Sequence, residues 1–200
     1  TGCGKSQTAR YISRVLRDAG LKTVAVRHPM PYGDLAKQAV QRFETYDDLA
    51  KHECTIEERE EYEAHLEWGN VVYAGVDYEA ILREAEKEAD VVIWDGGNND
   101  MPFYKPDLWI TVADPLRPGH ELSYFPGEVN FRRADVILVN KANTAEASVV
   151  ADLVARAKCI NPTAEVICGS STVSIEDGDA LKGKRVVLIE DGPTLTHGEM

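Results

Sequence analysis

Apolar residues recur along the chain at two spacings, and the alternation between them lays out an α/β protein. Ala9, Ile12, Val15, Leu16 and Ala19 fall three or four apart, as on one face of a helix, and Gly20 stands where a left-handed cap would close it. Residues 22–28, KTVAVRH, are rich in β-branched side chains and predict a strand, which Pro29 and Pro31 bring to an end. A predominantly helical stretch follows over 34–68. Its later part opens with Thr55-Ile56-Glu57-Glu58, the spacing of a capping box, and its acidic run EEREEYEAHLE reads as a solvated helix face. From residue 77 the order becomes regular: a helix over 78–88, strands over 91–95, 108–113 and 136–140, a helix over 145–158, and strands over 165–168 and 185–190.

These strands are short continuous apolar runs, the pattern that burial on both faces of a sheet requires. The expected fold is therefore α/β, a mostly parallel sheet flanked by helices with right-handed crossovers, of the P-loop NTPase kind. The whole of 1–200 reads as one nucleotide-binding domain, with 34–76 as a helical insertion. There is no internal repeat and no low-complexity linker.

Composition narrows the partners. With 44% hydrophobic and 28% charged residues over 200 positions, the chain is ordinary for one or two globular domains. A formal net charge of -12 without a basic patch repels duplex nucleic acid and anionic membrane surfaces, so neither is an expected partner. Cys3, Cys54, Cys159 and Cys168 have neither C-x-x-C spacing nor the density of a disulfide scaffold. No signal peptide or run of 18 apolar residues occurs. A reducing, cytoplasmic setting is the expectation, and a homo-oligomer is left open.

The chain opens TGCGKSQT, the second half of the Walker pattern G-x-x-x-x-G-K-S/T, whose first glycine would lie two positions before Thr1. The numbering is thus expected to begin inside a longer gene product. The closing DGPTLTHGEM, a turn with nothing after it, gives the same impression at the other end. Gly2, Cys3, Gly4, Lys5, Ser6 and Gln7 are candidate nucleotide-binding residues. Glycines let backbone N–H groups converge on phosphate, a helix N-terminus adds partial positive charge, and Lys5 reaches the β and γ oxygens. Ser6 would bind Mg²⁺ through its hydroxyl.

A second signal is VVIWDGGNND, residues 91–100, with Asp95 at the carboxyl end of a strand. A carboxylate there holds Mg²⁺ or its bound water opposite the loop serine, which makes Lys5 and Asp95 the catalytic candidates and Ser6 with Asp95 the metal pair. The plainer reading is that Asp95 ends a strand and Gly96-Gly97 make a turn. A third signal, VILVNKAN, is similar to the base-reading N-K-x-D motif of GTPases, with Asn143 at the aspartate position beside Asn140 and Lys141. Asparagine has one acceptor and one donor, a pair that suits adenine better than guanine, so ATP is favoured. The alternative is that Asn140 and Lys141 simply end a strand. Polar residues also gather at strand ends: Arg27, His28, Tyr32 and Asp34; Asp114, Arg117, His120 and Glu121; Asp191, Thr194 and His197. Arg27, His28, Arg117 and His120 are candidates for holding a polyanionic substrate by charge-assisted hydrogen bonds, and each is equally readable as a surface charge. Asp34 is a candidate to bind metal, accept a proton or cap a loop. His52, Cys54 and His65 lack the spacing of a closed zinc site.

Five strings, RHPMPYGDL, DYEAILREAEKEADVVIWDGGNND, DPLRPGHE, PGEVNFRRADVILVNKAN and EDGPTLTHGEM, resemble the P-loop core of cyclic 2,3-diphosphoglycerate synthetase and its relatives. The resemblance runs over nearly the whole chain. It implies an enzyme that uses ATP and Mg²⁺ to close an intramolecular phosphoanhydride in 2,3-bisphosphoglycerate, a small phosphorylated substrate, and flanking segments on both sides. On that expectation Lys5, Ser6 and Asp95 serve the transferring group, while Arg27, His28, Arg117 and His120 hold the bisphosphate. The rival reading is a nucleotide-dependent switch or metal-delivery chaperone, in which hydrolysis gates a protein partner. A third is a domain that folds but has lost activity.

Overall fold

The computed structural model of the chain describes residues 2–28, 34–97, 100–172, 174–175 and 178–187. It divides into two units, one from Lys5 to Pro106 and one made of the residues up to Gly4 and from Asp107 onward.

The first unit holds α1 (Lys5–Asp18), β1 (Thr23–Arg27), β2 (Gln41–Phe43), α2 (Tyr46–Lys51), α3 (Ile56–Glu67), β3 (Val71–Ala74), α4 (Tyr78–Ala85) and β4 (Val91–Asp95). Its sheet has the order β2-β3-β1-β4, with β1 parallel to both β3 and β4 and β2 antiparallel to β3. Local chemistry sets the helix ends. Gly20, at φ 87°, lets its own N–H and that of Leu21 turn back to the Arg17 and Leu16 carbonyls at 2.8 and 3.0 Å, closing α1 as the sequence predicts. The capping box of α3 is also present: the Glu58 N–H donates to Thr55 Oγ1, and the Thr55 N–H donates to the Glu58 carboxylate.

Side chains from β1 and β3 sort by the period of two. Val24, Val26 and Tyr73 pack with Ile81 and Ala85 of α4, whereas Val72 and Ala74 face the other way toward Phe43, Leu49, Tyr62 and Leu66. Burying each of the large ones is worth roughly 1.5–3 kcal/mol. β1 is buried along its whole length, as a central parallel strand should be.

The second unit holds β5 (Ile110–Ala113), α5 (His120–Ser123), α6 (Gly127–Arg133), β6 (Val136–Val139), α7 (Ala147–Ile160), β7 (Glu165–Cys168) and α8 (Gly178–Leu181). Its three strands are all parallel, in the order β5-β6-β7. Ala113, Phe131, Ala134, Ile137, Val139, Leu153 and Ala157 form its core. At the end of α7 the buried Asn161 side chain donates to the Ala134 carbonyl at 2.8 Å and to the Phe131 carbonyl at 3.3 Å.

The α/β architecture of parallel strands flanked by helices is as the sequence predicts, arranged in two sheets. Several particulars differ. The stretch 34–68 carries α2 and α3 but also β2, and β3 follows it, because β3 pairs with β1 and β2 with β3, which recruits segments whose local pattern is too short to announce a strand. The acidic run is not simply a solvated face: Glu58, Tyr62, His65 and Leu66 of α3 are buried. β7 is largely exposed rather than buried on both faces. Residues 184–187 form no strand, and 188–190, the rest of the strand expected there, lie outside the described residues. Among the described residues no helix is long and apolar enough to cross a membrane.

Candidate functional site

The parallel pairing of β1 and β4 sets Arg27 opposite Asp95 at the carboxyl edge of the first sheet. The first turn of α1 brings Ser6 to the same point. Ser6 Oγ donates to Asp95 Oδ1 at 3.3 Å. Arg27 Nη1 lies 3.0 Å from Asp95 Oδ2, donates to the Asp95 carbonyl at 2.9 Å, and reaches Ser6 Oγ at 3.3 Å. The two residues predicted as a metal pair are therefore together, at the end of a parallel sheet where α/β proteins bind ligands.

Two residues absent from the predicted site complete it. α3 presents Glu61 and His65, four apart and so on one helix face: Glu61 pairs with Arg27 Nη2, and His65 Nε2 sits 2.9 Å from Asp95 Oδ2. Behind His65, Asn70 Nδ2 lies 3.3 Å from its Nδ1, and Ser13 Oγ bonds both Asn70 Oδ1 and Thr23 Oγ1. In this chain the Asn70 amide donates to Nδ1, which places the imidazole proton on Nε2, facing the carboxylate. Burial alone would raise the Asp95 carboxyl. The His65 hydrogen bond, the Arg27 charge and the Ser6 hydroxyl outweigh it, and the group sits below its ordinary 3.8. Arg10, one turn beyond Ser6, is held below the usual guanidinium value, first by burial and then by Arg27, against the pull of Asp95 and Glu67; its Nε is buried without a hydrogen-bond partner.

The other predicted residues of this unit are placed differently. Arg27, expected to hold a polyanion, is 4% exposed and turned to Asp95, Glu61 and Ser6. The strand register leaves it no other direction. His28 Nδ1 lies 3.2 Å from Asp100 Oδ2; burial lowers its pKa, and Asp100 works against that. Gly97 donates its N–H to the same carboxylate at 2.7 Å, and a Cβ on Gly96 would come within 2.6 Å of Trp94 Nε1. Gly96 therefore serves close packing. Asp34 caps its own turn by accepting from the Ala36 N–H at 3.0 Å. Lys5 and Gln7 lie in the first two turns of α1. Tyr32, Asp191, Thr194 and His197 lie outside the described residues.

In the second unit, Gly2 and Gly4 take φ of 72° and 101°, and Arg117 Nη2 would lie 3.8 Å from a Cβ on Gly2. Asn140, at the end of β6, donates to the Cys3 carbonyl at 2.9 Å, so a strand end and the glycine loop are tied together. Lys141 adopts a left-handed φ of 56°, uncommon for a residue with a Cβ, and its Nζ meets Asp114 Oδ2 at 2.9 Å. Asn143 accepts from the Ser171 N–H at 2.8 Å and donates to the Ser171 carbonyl at 3.3 Å. Both ends of its amide are thus engaged by backbone rather than turned to a base. His120 opens α5 with its ring edge-to-face on Tyr124 at 5.2 Å.

Ser6 Oγ and Asp95 Oδ1 are the hard oxygen donors that Mg²⁺ takes, usually one or two from protein with water and phosphate completing its shell, and the carboxylate is held ionised. The residues present therefore fit that ion. Parallel strands flanked by helices, with a hydroxyl and a carboxylate meeting at their carboxyl edge, are compatible with a P-loop-like nucleotide-binding fold. No family model matches the chain. Over all 200 of its residues the chain is 62% identical to arginine synthetase ArcE of Thermococcus kodakarensis, and it spans 45% of that protein's length. This overturns the expected synthesis of cyclic 2,3-diphosphoglycerate. A relative this similar along the entire chain is named for a different activity, and Arg27, one of the four candidates for holding a bisphosphate, is engaged by Asp95 and Glu61.

Proposed function

We propose that this chain supplies the nucleotide- and Mg²⁺-handling part of an ATP-dependent synthetase that forms arginine. The observation that carries the nucleotide half of this reading is the meeting of Ser6 Oγ and Asp95 Oδ1 at 3.3 Å, where α1 starts and β4 ends. The product is taken from the name of the relative to which the chain is 62% identical.

Forming the guanidino group at the expense of ATP demands that an oxygen on its carbon become a leaving group. The γ-phosphoryl group passes to that oxygen: the bond from its phosphorus to the β–γ bridging oxygen breaks, a new oxygen–phosphorus bond forms, and ADP departs. A nitrogen nucleophile then attacks the carbon, the oxygen leaves as phosphate, and the nitrogen gives up a proton. Mg²⁺, when bound, neutralises charge on the phosphates. Ser6 and Asp95 are the residues that would hold it, and Lys5, at the first position of α1, would bind phosphate oxygens with the helix N-terminus. Arg27, buried against Asp95, keeps that carboxylate ionised and oriented.

The test uses the full-length protein that contains this chain, with ATP, Mg²⁺ and arginine precursors bearing a carbonyl oxygen at the future guanidino carbon. Arginine formed in step with ADP and phosphate is the expected result. Asp95→Asn and Ser6→Ala should lower kcat on the order of 100-fold or more. Nucleotide hydrolysis without arginine, in the presence of each precursor, would remove the synthetase reading.

A further inference from the structure

We propose that His65 is a positioning residue for Asp95, the group that fixes which carboxylate oxygen is offered to Ser6 and to a divalent cation. This rests on the reading of Ser6 and Asp95 as the metal pair. His65 is not among the residues whose type and position in the sequence point to a nucleotide site.

His65 and Asp95 side chains are each 1% exposed, so no water competes for their contact. Asp95 Oδ2 is met from two directions, by His65 Nε2 at 2.9 Å and Arg27 Nη1 at 3.0 Å, while Oδ1 is met by Ser6 at 3.3 Å. Rotating the carboxylate to exchange its oxygens would break both bonds to Oδ2 at once, in a setting where unpaired polar groups are costly. Arg27 Nη1 divides its contacts among Oδ2, the Asp95 carbonyl and Ser6, whereas His65 Nε2 is committed to Oδ2. The imidazole is also fixed in place. Its ring is held from behind by Asn70, and Asn70 in turn by Ser13, whose hydroxyl also meets Thr23 at the start of β1. A line of buried hydrogen bonds thus runs from α1 and β1 through Asn70 and His65 to the carboxylate. Such outer partners of a ligand typically change metal affinity or activity 10- to 100-fold when removed.

The experiment measures Mn²⁺ binding to the full-length protein by the loss of its free electron paramagnetic resonance signal, with and without ADP, for wild type, Asp95→Asn, His65→Ala, His65→Gln and Asn70→Ala. Glutamine places an amide N–H close to where Nε2 stands. The expected result is that D95N loses the ADP-dependent Mn²⁺ site, H65A weakens it about 10- to 100-fold, H65Q recovers most of that loss, and N70A weakens it in the same direction by less. Wild-type Mn²⁺ affinity in H65A, alongside loss in D95N, would overturn the role of His65 and leave the metal pair standing. Wild-type affinity in D95N would overturn the metal pair itself. If H65A does not fold, the folded variants decide: wild-type affinity in N70A, or an H65Q as weak as D95N, overturns the proposal, and a weakened N70A with a near-normal H65Q supports it.

Discussion

The two units end their strands in different currencies of interaction. In the first, β1 and β4 finish in ions: Arg27, Asp95 and Glu61 meet around a buried histidine. In the second, the ends of β6 and α7 finish in neutral amides, Asn140 on the Cys3 carbonyl, Asn143 on both groups of Ser171, and Asn161 on the Phe131 and Ala134 carbonyls. Its ion pair Lys141–Asp114 is less deeply buried at the lysine. Neutral hydrogen bonds of this kind net about 1 kcal/mol each and fix geometry at little electrostatic cost. A buried ionic cluster is no better for stability than apolar packing of the same shape, yet it is severely damaged by losing one member. The first arrangement therefore makes sense where charge must be presented, and the second where loops must be held still.

The largest expected effect tests that contrast directly. Arg27→Ala leaves Asp95 buried without its cation, and should destabilise the protein by about 3–5 kcal/mol in urea denaturation. A loss under 1 kcal/mol would mean that water or Arg10 replaces it and that the cluster is not a unit. Asn161→Ala should cost less, about 1–3 kcal/mol, because it strands two backbone carbonyls rather than a charge. If the two variants cost the same, the distinction between ionic and amide ends fails. The smallest effect is at the surface. Glu88 is held below its ordinary 4.5 first by its hydrogen bond to Arg42, against burial, and then by Tyr73. A depressed carboxyl contributes stability that is fully present above the unfolded value and is lost as pH falls through the folded one. Glu88→Gln should therefore narrow the stability difference between pH 7 and pH 3 while leaving the pH 3 value little changed; an unchanged difference would show that the pairing has no energetic weight.

What the sequence made legible was local. The cap at Gly20, the box at Thr55 and Glu58, and the apolar runs of β1, β4, β5, β6 and β7 are each dictated by neighbours a few positions away. Asp95 was readable for the same reason, as a carboxylate closing an apolar run. β3, four residues after a helix, exists because β1 is there to be paired, and β2, three residues with a charged centre, because β3 is, and no local pattern states that. His65 belongs to the same class. On the helix it is one polar residue in an acidic run, and only the approach of Asp95, thirty positions later, gives it a role. A signal was available: Tyr62, His65 and Leu66 share a helical face, which marks His65 as inward. Arg27 shows the converse, since a charge at a strand end looks available until the register shows what lies beside it.

The antiparallel strand β2 has a bearing on how the protein behaves in a crowded solution. Along the margin of the first sheet it is only three residues long, and its central Arg42 is bound to Glu44 and Glu88. Another chain seeking to extend the sheet on that side would find few backbone groups to pair with and a fixed charge among them. The same short segment that hid from sequence reading thus closes one route to fibrous self-association.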